Sequence, residues 1–304
     1  MGSAAHKMTG WLHEPVMRDE VGELMLANRP AIVIDATVGA GGHAELLLER
    51  SACEHLIGLD RDTRALAAAS ERLARFGDRV ILRHADFAAL DSVLDALGVA
   101  NVDAILADLG MSSLALDDPE RGLSFQSDGP LDMRMDRDQA TTARALVNEE
   151  GEAELAQLIR DYGEERHARR IARMIVAARR SRPIETTLQL RSIIERALGP
   201  RRIAGVHPAT RTFQALRIAV NHEIESLATL LARGPARLAL RGRMVMLAYH
   251  SLEDRPVKET FRELARGGEF IAITGKPMRP ATAEVARNPR ARSARLRCIE
   301  RGAR

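Results

Sequence analysis

Ala31-Ile-Val-Ile-Asp-Ala-Thr-Val-Gly-Ala-Gly-Gly-His-Ala44 is an apolar run that breaks into a glycine-rich turn. Ala31 to Ile34 are short, branched and apolar, as in a strand buried on both faces, and Asp35 ends the run. Gly39, Gly41 and Gly42 let the backbone turn tightly and approach a ligand with no Cβ in the way. His43 to Arg50 follow as an expected helix, with Leu46, Leu47 and Leu48 on its apolar side. Strand, glycine turn and helix form the ligand-binding corner of a doubly wound sheet. Gly39, Gly41 and Ala44 also satisfy the dinucleotide pattern G-x-G-x-x-A, so the turn by itself leaves the ligand open.

Further along, His55 to Asp60 reads as a second strand ending in an acid, Val80 to Arg83 as a third, and Val102 to Asp108 as a fourth, again ending in an acid. Helices over Thr63 to Phe76 and Ala88 to Leu97 separate them. This alternation predicts a parallel α/β sheet. From Gly110 to about Pro208 it lapses. Residues 110–135 are loop-like, and residues 141–200 are helical, with Leu155, Leu158, Ile159 and then Ile171, Met174, Ile175 at helical spacing. One long helix is expected from Thr210 to Arg233. Arg243 to Tyr249 restores the strand signal, Asp254 to Arg266 is helical, and Phe270 to Thr274 and Leu296 to Glu300 are the last strands. The Pro/Arg-rich residues 276–293 read as a loop. The expected architecture is an α/β sheet domain in residues 1–110 and 210–304, with a helical domain, residues 111–209, inserted into it.

The 304 residues, 45% hydrophobic and 29% charged, can bury a sizeable core. No apolar run reaches the roughly 18 residues of a membrane span, and Met1 to Pro15 lacks the pattern of a secretion signal. Cys53 and Cys298 are far apart and lack metal-ligand spacing, so no metal site or disulfide is expected, and a reducing, cytoplasmic setting is. Lysine occurs only at Lys7, Lys258 and Lys276, so nearly all of the 45 basic residues are arginine. That bias fits either a GC-rich coding sequence or phosphate contact, which the guanidinium fork suits. A net charge of +3 does not choose between them.

Asp35, Asp60 and Asp108 end three strands, and the carboxyl ends of parallel strands share one edge, where ligands bind. Asp60 is placed to accept from a ribose diol, which suits a dinucleotide and S-adenosylmethionine equally. Asp35 and Asp108 separate the two. A pyrophosphate prefers helix N-termini and cations, whereas acids favour the sulfonium and ammonium of S-adenosylmethionine. Asp86 and Phe87 offer an acceptor and a ring to an adenine, or else a turn acid and a core side chain.

On the substrate side, Asp108-Leu-Gly-Met-Ser-Ser113 follows the fourth strand. An acid there can accept from an exocyclic amine whose lone pair is delocalised into a ring, favouring its pyramidalisation and stabilising the charge that develops. No cysteine falls at a strand's carboxyl end, which argues against chemistry that needs a thiolate nucleophile. His250-Ser-Leu-Glu-Asp-Arg255 puts further polar groups after a strand, or caps the following helix with Ser251 at the cap and Asp254 three residues on. His207 to Arg217 and Asn288 to Arg297 combine arginines with hydroxyls and amides, as phosphate and base readers do, and the arginines between Arg166 and Arg182 are either a solvated face or RNA contacts. Aromatics make up only 3%, so a structured RNA read by shape, with one base flipped out, fits better than a stacking platform.

These blocks, together with Arg121-Gly-Leu-Ser-Phe125, Gly129-Pro-Leu-Asp-Met-Arg-Met135 and Tyr162-Gly-Glu-Glu165, resemble in order the MraW family of bacterial ribosomal small-subunit methyltransferases, from about His13 to Glu300. The resemblance implies a class I, Rossmann-like methyltransferase sheet with an inserted helical domain that binds the RNA. It implies S-adenosylmethionine as donor and N4-methylation of one cytidine in the decoding region of 16S rRNA, within the small ribosomal subunit. A homodimer is compatible with it, and a membrane is not a partner. Carried over by position, cofactor contacts fall on Gly41, Gly42, His43, Asp60, Phe87 and Asp108. Asp108 and His250 become the catalytic candidates, and Ser112, Ser113, His207, Arg211, Arg217, Arg255, Arg290 and Arg292 the substrate-binding ones. The family's Gln two residues after Ser112-Ser113, a cofactor contact, is Ala115 here, so that one hydrogen bond, worth about 0.5–1.5 kcal/mol, is lost or replaced by backbone or water. That departure keeps open a non-catalytic RNA-binding assembly factor, and an amino-methyltransferase acting on DNA is the other alternative.

Overall fold

The structure, a computed structural model, describes residues 15–111, 113–199 and 207–302. In chain order the elements are α1 (Arg18–Leu26), β1 (Ile32–Asp35), α2 (Gly42–Arg50), β2 (His55–Asp60), α3 (Thr63–Leu73), β3 (Val80–His84), α4 (Leu90–Ala96) and β4 (Val102–Asp108). There follow α5 (Ser113–Asp117), α6 (Ala143–Glu149), α7 (Glu152–Gly163), α8 (Ala168–Arg179), α9 (Thr187–Leu198), α10 (Thr210–Asn221) and α11 (Glu223–Arg233). The chain closes with β5 (Leu238–Ala248), α12 (Ser251–Arg266), β6 (Phe270–Ala272), α13 (Thr282–Arg287) and β7 (Arg295–Arg301). Contacts divide the chain into two compact units: one runs to Ser112 and resumes at Ile224, and the other is Ser113–Glu223.

The first unit holds a seven-stranded sheet in the order β3-β2-β1-β4-β5-β7-β6. The first five strands in that order are parallel, and β7 is antiparallel to both β5 and β6. Alternate residues of each central strand face opposite sides. Val33, Leu56, Leu106 and Val245 pack with Met25, Leu47 and Leu73 from α1, α2 and α3. Ile34, Ile57, Ile105 and Met244 pack with Leu94, Leu230 and Phe261 from α4, α11 and α12. Burial on both faces explains the unbroken apolar runs in β1, β2 and β4. The strand order reverses between β1 and β4, the crevice where open α/β sheets bind ligands.

Several expected boundaries shift. The strand expected at Arg243 begins at Leu238, with a register irregularity opposite Val102 and Ala104. The single helix expected from Thr210 to Arg233 breaks at His222, whose φ of 50° is left-handed. The loop expected over residues 276–293 carries α13 and a 3-10 turn. Helix α1 has no counterpart in the sequence reading; its buried side, Val21 and Met25, is too short a pattern to stand out.

The second unit is helical. Leu155 and Ile159 of α7, Ile171 and Ile175 of α8, Leu190 and Ile194 of α9, and Phe213 and Leu216 of α10 are its buried residues at helical spacing. Thr186 and Gln189 make a reciprocal capping box at the start of α9.

Candidate active site

The carboxyl edge of the parallel strands positions the site. Helix α2 starts directly after the glycine turn, with Gly41 at its N-cap in the left-handed region (φ 80°) and a Cβ there 3.3 Å from the Leu73 side chain. The turn is tied down by Asp60, whose Oδ2 accepts from the Gly39 N–H at 2.9 Å and whose Oδ1 accepts from the Asp62 N–H at 2.8 Å. Thr37 ties the turn to β4, its Oγ1 accepting from the Asp108 N–H at 2.7 Å.

Four ionisable groups, Asp35, Asp60, His43 and Asp108, converge beside this turn, and a fifth, Tyr249, joins them through Asp108. Asp35 is buried, and its carboxyl is pushed up to about 7 by that burial, against the opposing pull of His43 and the Thr37 N–H; Asp108 and Asp60 add to the rise. Burial likewise raises Asp60 above the usual carboxylate range. His43, in the first turn of α2, is only 6% exposed, and among the described residues neither ring nitrogen has a hydrogen-bond partner. Its Nε2 lies 3.6 Å from Asp108 Oδ2. Tyr249, just past β5, donates its hydroxyl to Asp108 Oδ1 at 2.6 Å.

This donor set fits S-adenosylmethionine. Asp35 and Asp108 would favour its positive charge, His43 offers two polar atoms unmatched among the described residues in a buried place, and the glycine turn gives close backbone approach. A pyrophosphate would meet the same carboxylates as repulsion.

The remaining expected residues spread out. Phe87 is half-buried, with the Arg61 guanidinium 5.6 Å from its ring centroid. Asp86 is engaged by Arg61, by the Ala88 N–H at 2.7 Å and by Ser226 at 3.2 Å, so the turn-acid role is the one the structure displays. His250 is itself the N-cap of α12, and Glu253 is the residue three on, which corrects the expected cap by one position. His250 Nε2 lies 3.1 Å from Glu253 Oε1, while Glu253 Oε2 accepts from the Tyr249 N–H at 2.8 Å. It is thus Tyr249, and not the candidate His250, that bonds to Asp108. The sequence held half of that signal, an aromatic hydroxyl at a strand end, but not the pairing of β4 with β5 that sets Asp108 opposite Leu247.

Asp254 is held below the usual carboxylate range: burial works the other way, but Arg297 and Arg295 bind it at 2.7 and 2.8 Å. Arg255, Arg290 and Arg292 are exposed. Within the helical unit, His207 stacks on Phe125 with centroids 4.7 Å apart, its Nε2 lies 3.1 Å from Glu195 and its Nδ1 accepts from the Ala209 N–H. Arg211, largely exposed, donates to the Glu164 carbonyl at 3.1 Å. Arg217 is 9% exposed and makes a bidentate pair with Glu223, both bonds 2.7 Å, which sets it inside the fold rather than on a reading surface. Ser112 and the side chain of Ser113 lie outside the described residues, and Ala115 is buried.

Residues 10–302 match the model of the MraW methylase family. This chain belongs to that family. It is 49% identical over 292 residues to the ribosomal RNA small subunit methyltransferase H of Sorangium cellulosum, covering 96% of this chain and 91% of that protein. It is 48% identical over 312 residues to the protein of the same name from Pelobacter propionicus, covering 97% and 100%. Overlay on an rRNA methylase from Streptococcus thermophilus is loose, with a TM-score of 0.40 and 14% identity over 94% of both chains. The methyltransferase fold is therefore read from the strand order and the family match. Among the described residues no helix is long and apolar enough to cross a membrane.

Proposed function

We propose that this chain transfers a methyl group from S-adenosylmethionine to the exocyclic N4 of one cytidine in the decoding region of 16S rRNA, acting in the cytoplasm on the small ribosomal subunit. One observation carries the chemistry: the Asp108 carboxylate stands at the end of β4, between His43 and Tyr249. The substrate class comes from the relatives' names, at 48–49% identity over nearly the whole chain.

S-adenosylmethionine, when bound, supplies an electrophilic methyl group on a sulfonium. The chain's own groups do the rest. Gly41, Gly42 and His43 hold the amino-acid end, Asp60 the ribose, and Phe87 packs on the adenine. Asp35 and Asp108 set a negative field that favours a cation. Asp108 Oδ2 accepts from the exocyclic amine, directs its lone pair outward, and takes its surplus proton. Attack through a thiolate has no support at this edge: Cys53 and Cys298 are both buried, and burial pushes the Cys298 thiol up to about 12. Exposed Arg211, Arg255, Arg290 and Arg292 serve as phosphate contacts, and the helical unit presents further exposed arginines, Arg169, Arg170 and Arg173 on α8, to RNA. Mass spectrometry of 16S rRNA from a deletion strain tests the proposal. Loss of N4-methylation at one decoding-region cytidine is expected, and an unchanged signal would sink it.

A further inference from the structure

We propose that Tyr249 is a positioning residue that fixes the Asp108 carboxylate for removal of the acceptor amine's proton, an inference that rests on the methyltransferase reading above. Asp108 is pinned at two points. Its N–H is held by Thr37 Oγ1 and its Oδ1 by the Tyr249 hydroxyl, at 2.7 and 2.6 Å. That leaves Oδ2, on the side of His43, to face a substrate. Tyr249 is pinned in turn. Its N–H is held by Glu253 at 2.8 Å, and its ring lies against Gly110, where a Cβ would come within 3.4 Å of Cδ2 and φ is 112°. A side chain at position 110 would be strained there, so the glycine and the ring belong to one arrangement.

The titratable groups around the pair are His43 and Asp35 beside Asp108, and Glu253 and Glu284 beside Tyr249. Burial, Asp108 and those two glutamates push the phenol well above its ordinary range, so Tyr249 stays protonated and acts only as a donor. In the reaction the amine nitrogen bonds to the methyl carbon as the carbon–sulfur bond breaks onto sulfur. The surplus proton moves to Asp108 Oδ2 and from there to water, and the Tyr249 O–H bond stays intact.

Tyr249→Phe removes the donor and keeps the ring. On small subunits, kcat is expected to fall by about 10- to 100-fold, the range of a mis-set proton acceptor, with KM for RNA, cofactor Kd and Tm close to wild type. An unchanged kcat beside an active wild type would overturn the inference, as would a loss confined to cofactor affinity or Tm. A wild type inactive on small subunits would instead overturn the functional reading. A second readout needs no turnover. The chain has two tyrosines, so in a Tyr162→Phe background the near-ultraviolet phenolate signal reports Tyr249 alone. Asp108→Asn should bring its ionisation to lower pH, and an unmoved titration would show that the hydrogen bond is not made.

Discussion

Asp35 shows how one buried carboxyl can couple ligand, proton and stability. Unfolded, it ionises near 3.8; folded, it holds its proton up to about 7. The folded state therefore binds more protons between those values, and this group's contribution to stability declines as pH rises from about 4 to 7. Asp35→Asn should flatten that part of the Tm-versus-pH curve, and a variant curve parallel to wild type would contradict the assignment. A cationic ligand favours the ionised form, so S-adenosylmethionine should bind more tightly as pH rises toward 7 and release a proton. Calorimetry in two buffers of different ionisation enthalpy should give different apparent heats, and equal heats would count against a charged Asp35 in the complex. At this scale the sequence was informative about residue type and silent about partners. Asp35, Asp60 and Asp108 could be read as strand-end acids, but whether each faces ligand, backbone or neighbour depends on packing. Asp60 binds two backbone N–H groups, and Asp108 binds Tyr249.

The strands were the most legible elements because burial on both faces leaves an unbroken apolar run. β2 and β4 have the expected bounds, His55–Asp60 and Val102–Asp108. The motif blocks were legible as patterns, but many of their residues build architecture. Asp254 of one block binds Arg295 and Arg297 of another. In the helical unit Arg121 donates to the Met135 carbonyl, and Asn221 accepts from the Met135 N–H and donates to the Met133 carbonyl. Such pairings join residues distant in sequence, which spacing alone cannot reveal. Arg217 illustrates the consequence. As the partner of Glu223 it is a fold residue, and truncating one side of a buried pair leaves an uncompensated charge costing about 3–5 kcal/mol. Arg217→Ala should lower Tm sharply, and Arg217→Ala with Glu223→Ala together should cost less than the sum of the single changes. A stable Arg217→Ala protein that had lost only RNA affinity would return Arg217 to the substrate surface.

Across the whole molecule a net charge of +3 hides a set of basic residues that is nearly all arginine. Arg290 and Arg292 are exposed on the unit that carries the sheet. If they neutralise RNA phosphates, replacing both by alanine should weaken binding and reduce the slope of log K against log salt by roughly 1–2, at about 0.7–0.9 per phosphate contact. A lowered affinity with the slope unchanged would exclude that role. The sulfonium site and the rRNA acceptor meet in one measurement: N4-methylcytidine formed by the purified protein on unmodified small subunits, naked 16S rRNA and duplex DNA, with Asp108→Ala beside it. Methylation of a single decoding-region cytidine in rRNA, lost by a factor of about 100 or more in Asp108→Ala, with duplex DNA left unmodified, is the expected result. Transfer to duplex DNA but not to rRNA, or an Asp108→Ala protein as active as wild type, would contradict it.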